Sequence, residues 1–319
     1  MAHVLIGKPV PTFPGHARRL TPLPGPAQSD GVMTLARPIA GSARDANPSR
    51  GTLARLLALG RPIVMGVLNV TPDSFSDGGR FLDPATAIEQ ARRMAAEGAD
   101  VLDIGAESTR PYGGMVAVSA EEEMRRLAPV LPAVVALGLP VSIDSMKADV
   151  AAWALGGGAA IVNDVWGLQR DQGLARVAAE HAVPVIIMHN RDAADPTIDI
   201  MADIAAFFSR SLAIAARAGI ARENIVLDPG IGFGKTPEQS LIAIARLGEF
   251  ASFGLPLLLG ASRKRFIDKV SPAPPDRRLG GSIAAHLLGV AGGAAIIRTH
   301  DVAETVQALR VNAAIRSAR

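Results

Sequence analysis

Eight short apolar runs, separated by helix-length stretches, constrain this chain more than any other feature. They fall at 63–68, 101–104, 141–143, 160–162, 185–188, 225–227, 257–259 and 294–297, with helical candidates between them at 84–97, 120–137, 201–218, 237–247 and 282–291. Several of those candidates open on Asp, Ser, Thr or Pro and close on Gly, the residues that begin and end helices. Alternation of short buried strands with helices argues for a parallel sheet, and eight units in about 250 residues is the size of a (β/α)8 TIM barrel. A doubly wound open sheet is the runner-up. Hydrophobic residues make up 49% of the chain and aromatic ones 4%. That supplies an aliphatic core large enough for one domain over 51–319.

Three of the units share a register. Aligned on the glycine that ends a helix, they read Gly98-Ala-Asp-Val-Leu-Asp103, Gly158-Ala-Ala-Ile-Val-Asn163 and Gly293-Ala-Ala-Ile-Ile-Arg298. Burial of the strands does not call for Asp, Asn and Arg at one register, whereas a shared mouth at the carboxyl ends of the strands does. The polar residues at or just after the strands are Asn69, Asp103, Asp144, Asn163 with Asp164, His189 with Asn190, Asp228, Ser262-Arg263-Lys264, and Arg298 with His300.

That set divides into two chemistries. Asp144, Asn163 and Asp228 suit a flat heterocycle whose edge presents several N–H donors, because carboxylates only accept and an amide does both. Arg298 and His300 precede an Asp301-led helix, where barrels hold phosphate. For Asp144 taken alone, helix capping is an equal reading; for the three together, binding is favoured. His189 reads as a satisfied residue behind the site. A metal held by protein ligands alone is not expected, since no two His lie at ligand spacing, but Mg²⁺ held by Asn69, phosphate oxygens and water is compatible. The run Gly230-Ile-Gly-Phe-Gly-Lys235 lacks the spacing of a nucleotide phosphate loop and reads as backbone left flexible for a ligand, with Phe233 as a wall. Arg110, between Thr109 and Pro111, is a candidate anion clamp.

The pI of about 9.7 invites a nucleic-acid partner, but the charge is in the wrong place. Residues 1–60 hold seven Lys and Arg against two Asp, so of the 33 basic and 30 acidic residues the body keeps 26 against 28. No basic stripe remains for a phosphate backbone, and no nucleic acid is expected. Residues 1–50 contain eight of the 23 prolines and are expected to form an extended arm or hairpin rather than a cleaved signal, a transit peptide being the alternative. No apolar run survives as a membrane span, and the absence of cysteine excludes disulfides and thiol chemistry.

Seven motifs in order, LNVTPDSFSDGGRF, DIGAESTRP, SIDS, VNDV, LDPGIGFGK, GASRK and RTHDV, resemble the dihydropteroate synthases over about residues 61–301. Their joint occurrence is far more specific than any one. The resemblance implies a cytoplasmic homodimer that uses Mg²⁺ to condense 6-hydroxymethyl-7,8-dihydropterin pyrophosphate with 4-aminobenzoate in folate biosynthesis, and that is a sulfonamide target. It assigns the pterin edge to Asp144, Asn163, Asp228 and Lys264, with Met188 lining the pocket. It assigns the diphosphate to Asn69, Arg298 and His300, with Asn69 also on Mg²⁺, and Asp73 or Asp77 to closure. The aminobenzoate site would comprise Phe75, Thr109, Arg110, Pro111, Phe233 and Ser262. Asn69, Lys264, Arg298 and His300 would carry the chemistry. Ala106, Ile231 and a longer 112–115 segment depart from the usual pattern, and the last bears on aminobenzoate and its sulfonamide mimics. The rivals are a methyltetrahydrofolate-dependent corrinoid methyltransferase and a non-catalytic pterin-binding barrel.

Overall fold

A short apolar strand buried on both faces needs a neighbour on each edge and a helix over its outer side. The chain meets both needs by closing on itself. In the computed structural model, which describes residues 51–71, 83–107 and 118–318, the strands are β1 Ile63–Asn69, β2 Val101–Gly105, β3 Val141–Asp144, β4 Ile161–Asp164, β5 Val185–Met188, β6 Ile225–Asp228, β7 Leu257–Leu259 and β8 Ala294–Thr299. All neighbours pair in parallel in sequence order, and β8 returns to β1 with Ile63 opposite Ile296. The barrel is therefore closed, which removes the open-sheet alternative. The N-terminal arm expected over residues 1–50 lies outside the described residues.

The helices follow local rules. Pro84–Glu97 starts on a proline, whose missing N–H costs nothing in a first turn, and closes on Gly98 at φ 99°. Gly158 and Gly293, the other two glycines of the repeat, also have left-handed φ of 103° and 95°. Pro237–Ala245 opens with a reciprocal box in which Thr236 accepts from the Gln239 N–H and the Gln239 side chain accepts from the Thr236 N–H. The single helix expected over 120–137 is two, Ala120–Leu127 and Leu131–Val135. Pro129 and Pro132 cannot donate to the carbonyls four residues back, so one continuous helix is broken there. Two further helices, Ala148–Gly156 and Gln172–His181, follow β3 and β4 and pack against each other. Among the described residues, no helix is long and apolar enough to cross a membrane.

Two cores result. The larger lies between the strands and the helices. The smaller fills the barrel's lower interior with Ile63, Met65, Val101, Ile161, Ile186, Val226, Leu258 and Ile296. Helix Thr52–Leu57 adds Leu53 and Leu56 to it from below, closing that end with apolar surface.

Candidate active site

Side chains alternate along a strand, so the residue two positions after each inward one also points inward, one layer higher. Val101 leads to Asp103, Ile161 to Asn163, Ile186 to Met188, Val226 to Asp228 and Ile296 to Arg298. The interior thus turns from apolar to polar in one step. The three residues of the repeat meet there: Asp103 Oδ2 accepts from Asn163 Nδ2 at 3.0 Å and from Arg298 Nε at 2.6 Å. Arg298 also donates from Nη2 to Asp144 Oδ2 at 2.7 Å. Burial works against the guanidinium's charge, but Asp103 and Asp144 outweigh it and raise its pKa. Burial pushes the Asp144 carboxyl up to about 7, with Arg298 opposing. Gly105 is what lets Asp144 sit there: a Cβ at 105 would lie 3.2 Å from the Asp144 Cβ and 3.3 Å from its carbonyl oxygen.

Across the mouth, Asp228 is buried and its Oδ1 accepts from the Gly230 N–H at 2.7 Å. Burial raises its pKa against the pull of Lys264. Lys264 donates to the Ile231 carbonyl and stands 4.6 Å from the centre of the Phe233 ring. Burial lowers it to about 8, and Asp228 acts in the other direction. Among the described residues at the mouth, the carboxylates of Asp103, Asp144 and Asp228 stand with two cations, Arg298 and Lys264, while Lys235 acts on Asp228 from behind. Asp103 Oδ1 and Asp144 Oδ1 are buried with no hydrogen-bond partner among the described residues. Buried polar atoms are otherwise nearly always satisfied, so these two oxygens are acceptors suited to ligand N–H groups.

On the basic side, Ser262 Oγ accepts from the His300 N–H at 3.2 Å and lies 3.0 Å from His300 Nδ1. A hydroxyl that accepts the amide can donate its own proton to Nδ1, which places the ring proton on Nε2. Asp301 does not cap the helix Val302–Ser317, because Arg263, held at φ 58°, takes both of its carboxylate oxygens. Asn69 ends β1 opposite Gly105, partly buried.

Residues 65–300 match the pterin-binding enzyme family. The dihydropteroate synthase of Bacillus subtilis is 46% identical over 243 residues, which span 76% of this chain and 84% of that one. The chain belongs to the dihydropteroate synthase family. A Clostridium difficile dihydropteroate synthase, crystallised in the presence of pteroic acid, is 48% identical with a TM-score of 0.75 over 80% of this chain and 97% of its own. The Xanthomonas albilineans enzyme, solved with 4-aminobenzoic acid, is 43% identical with a TM-score of 0.77 over 81% and 94%.

For a dihydropteroate synthase, the residues expected from sequence fall into three groups. Asn69, Asp144, Asn163, Met188, Asp228, Phe233, Ser262, Lys264, Arg298 and His300 lie at the ends of strands or in the turns that follow them, and the contacts above join most of them. Phe75, Thr109, Arg110 and Pro111, with Asp73, Asp77 and the 112–115 segment, lie outside the described residues. Asp164 separates from its neighbour Asn163: its carboxylate accepts from the N–H groups of Trp166 at 2.8 Å and Leu168 at 2.6 Å and shapes a turn.

Two features escaped the sequence. Asp103, given no role there, is the acceptor that holds Asn163 and Arg298 together. The glycine-rich turn is closely packed: a Cβ at Gly230 would lie 2.0 Å from the His189 carbonyl oxygen, and one at Gly234 would lie 2.4 Å from the Arg191 Cβ. Its glycines are spacers for close packing, and buried Lys235 holds the turn from beneath. The signal for that was the lysine closing the LDPGIGFGK motif.

Proposed function

We infer that this chain transfers the pterin-6-ylmethyl group of 6-hydroxymethyl-7,8-dihydropterin pyrophosphate to the amine of 4-aminobenzoate, giving 7,8-dihydropteroate and pyrophosphate. The observation that carries this is the floor itself: a buried layer with more carboxylate than cation, two open acceptor oxygens and an amide, beside a basic rim. Asp144, Asn163 and Asp228 hold the pyrimidine edge, Lys264 reaches the other side of the ring, and Met188 and Phe233 form walls. Two of the five Arg298 N–H donors go to Asp103 and Asp144, which leaves the others, with His300, for the diphosphate.

The bond from the methylene carbon to the bridging oxygen breaks as charge moves onto the departing diphosphate. Arg298 and His300 meet that charge, while the carboxylate excess of the floor favours the positive charge left on the pterin. The neutral amine then bonds to the methylene carbon and loses a proton. No strong general base is needed.

Among the described residues no cluster of His, Asp and Glu could hold a metal alone. Asn69 at the rim nonetheless fits Mg²⁺, a hard cation content with one amide oxygen, water and substrate phosphate. Bound there, Mg²⁺ would supply charge neutralisation to the diphosphate. A homodimer is part of the same proposal, supported by Leu288, Val311 and Ile315, large apolar side chains left exposed on the helices Leu279–Ala291 and Val302–Ser317. A cytoplasmic location rests on the family alone. The anion-side residues Asn69, Lys264, Arg298 and His300 are all present, which disfavours a non-catalytic barrel. The 46% identity to a dihydropteroate synthase disfavours the corrinoid methyltransferase.

Purified protein with Mg²⁺ is expected to release pyrophosphate only when the pterin diphosphate and aminobenzoate are both supplied. Absence of release with both present overturns the proposal.

A further inference from the structure

Lys235 is 2% exposed, and its ammonium has three acceptors for its three protons: the carbonyl oxygens of Gly230 at 2.9 Å and Phe233 at 3.0 Å, and His189 Nδ1 at 2.6 Å. Burial pulls its pKa well below the usual lysine value, and Asp228 opposes that pull. Because His189 accepts at Nδ1, its proton lies on Nε2, which donates to Asp203 Oδ2 at 3.0 Å. The same oxygen accepts from Arg191 Nη1 at 2.9 Å. A polar chain therefore runs from the turn, through buried Lys235 and His189, to the first part of helix Ile200–Ala218, with half-buried Asp203 as the counter-charge at its far end.

The turn it holds carries one wall of the substrate site. Gly230 is gripped from two directions, its N–H by Asp228 at 2.7 Å and its carbonyl by Lys235. Ile231 presents its carbonyl to Lys264, and Phe233 presents its ring to the same ammonium. Gly230, Gly232 and Gly234 all have left-handed φ, of 64°, 82° and 52°, so three positions of the turn have no side chain to anchor them. The carbonyl bonds to Lys235 supply that anchor.

We propose that Lys235, backed by His189 and Asp203, is a positioning residue for the pterin site: it fixes from beneath the turn that sets Asp228, Phe233 and Lys264. It touches no substrate. It alters the pose of Asp228, Phe233 and Lys264 and not their charges, and the pterin-edge contacts this pose sets are made in substrate and transition state alike, so its loss raises KM more than it lowers kcat. This rests on the function proposed above, and one assay separates the two. Turnover by the parent protein tests the function, and the ratio of variant to parent KM tests the role of Lys235.

Lys235→Met keeps the side chain's length and apolar body without the donors. The expected result is a KM for the pterin diphosphate raised about tenfold, with kcat within threefold of the parent. Asp199→Ala serves as the stability control. It removes the side chain that caps Ile200–Ala218 through the Met201 and Ala202 N–H groups, and its KM is expected to match the parent's. Asp203→Asn keeps the shape but removes the charge behind His189, and a two- to threefold rise in the same KM is expected. A folded Lys235→Met protein with a pterin KM within twofold of the parent overturns the proposal, as does a matching rise in the Asp199→Ala protein. If Lys235→Met does not fold, an unchanged KM in Asp203→Asn overturns it.

Discussion

The two ends of the barrel interior are built on the same eight strands and do opposite things. Below, Met65, Val101, Ile161, Ile186, Val226, Leu258 and Ile296 pack with Leu53 and Leu56 into an apolar layer. Two residues further along the strands, Asp103, Asn163, Asp228 and Arg298 replace them, and two carboxylate oxygens have no partner among the described residues. One layer gains stability from every atom it buries. The other buries charge in an arrangement that only a ligand completes, a stability cost borne for function.

If that division holds, substitutions in the two layers should separate cleanly in kinetics and stability. The largest effect is expected at Arg298→Met, which strands Asp103 and Asp144 without their cation. Turnover should fall about a thousandfold, and stability by about 3–5 kcal/mol, read by steady-state rates and urea unfolding. An Arg298→Met protein that retains a tenth of the parent's turnover breaks the comparison from the upper side. Next is Leu258→Ala in the lower layer, expected to cost ~2–5 kcal/mol while kcat and KM at 25 °C stay within threefold of the parent. A change in KM for either substrate there would show that the layers are not independent.

The smallest expected effect sharpens the comparison. The folded pKa of Asp144, near 7, lies above its ordinary value of 3.8. Between those values the native state holds the proton more tightly than the unfolded chain. The stability this group contributes is therefore complete below about pH 4 and is lost as pH rises through about 7. Asp144→Asn cannot ionise, so its stability relative to the parent should be higher at pH 8 than at pH 5, by roughly 2–3 kcal/mol, even as pterin binding is lost. Thermal melts at both pH values decide it, and an equal or reversed difference would mean that Arg298 fully satisfies the Asp144 carboxylate.

The fold was legible because strand burial and helix boundaries are local properties. The runs at 63–68 and 185–188 needed only apolar residues in sequence, and the helix at 84–97 needed only a proline at its start and a glycine after its end. The helix at 120–137 was misread because its apolar period continues across Pro129 and Pro132. Of the site, the residue types at each strand end were visible, and the shared register of Asp103, Asn163 and Arg298 pointed to a common mouth. Partnership was not visible. Arg298 bonds Asp103 across 195 positions and Lys235 bonds His189 across 46, and nothing in either stretch states which carboxylate or ring it will meet. The turn at 230–235 was taken as loose for a similar reason, since a glycine that gives freedom and one that permits contact are spelled alike.

The five-residue spacing from Gly293 to Arg298 has a consequence for how the chain can change over time. Along a strand, direction is a matter of odd and even. Exchanges among the aliphatic residues between those two positions leave the guanidinium facing the axis, but inserting or deleting a single residue turns it outward among the side chains of the helical shell. The same holds from Gly98 to Asp103 and from Gly158 to Asn163. The aliphatic positions of these segments can exchange among themselves while the length stays fixed, so length differences among relatives should collect in the loops beyond the strands.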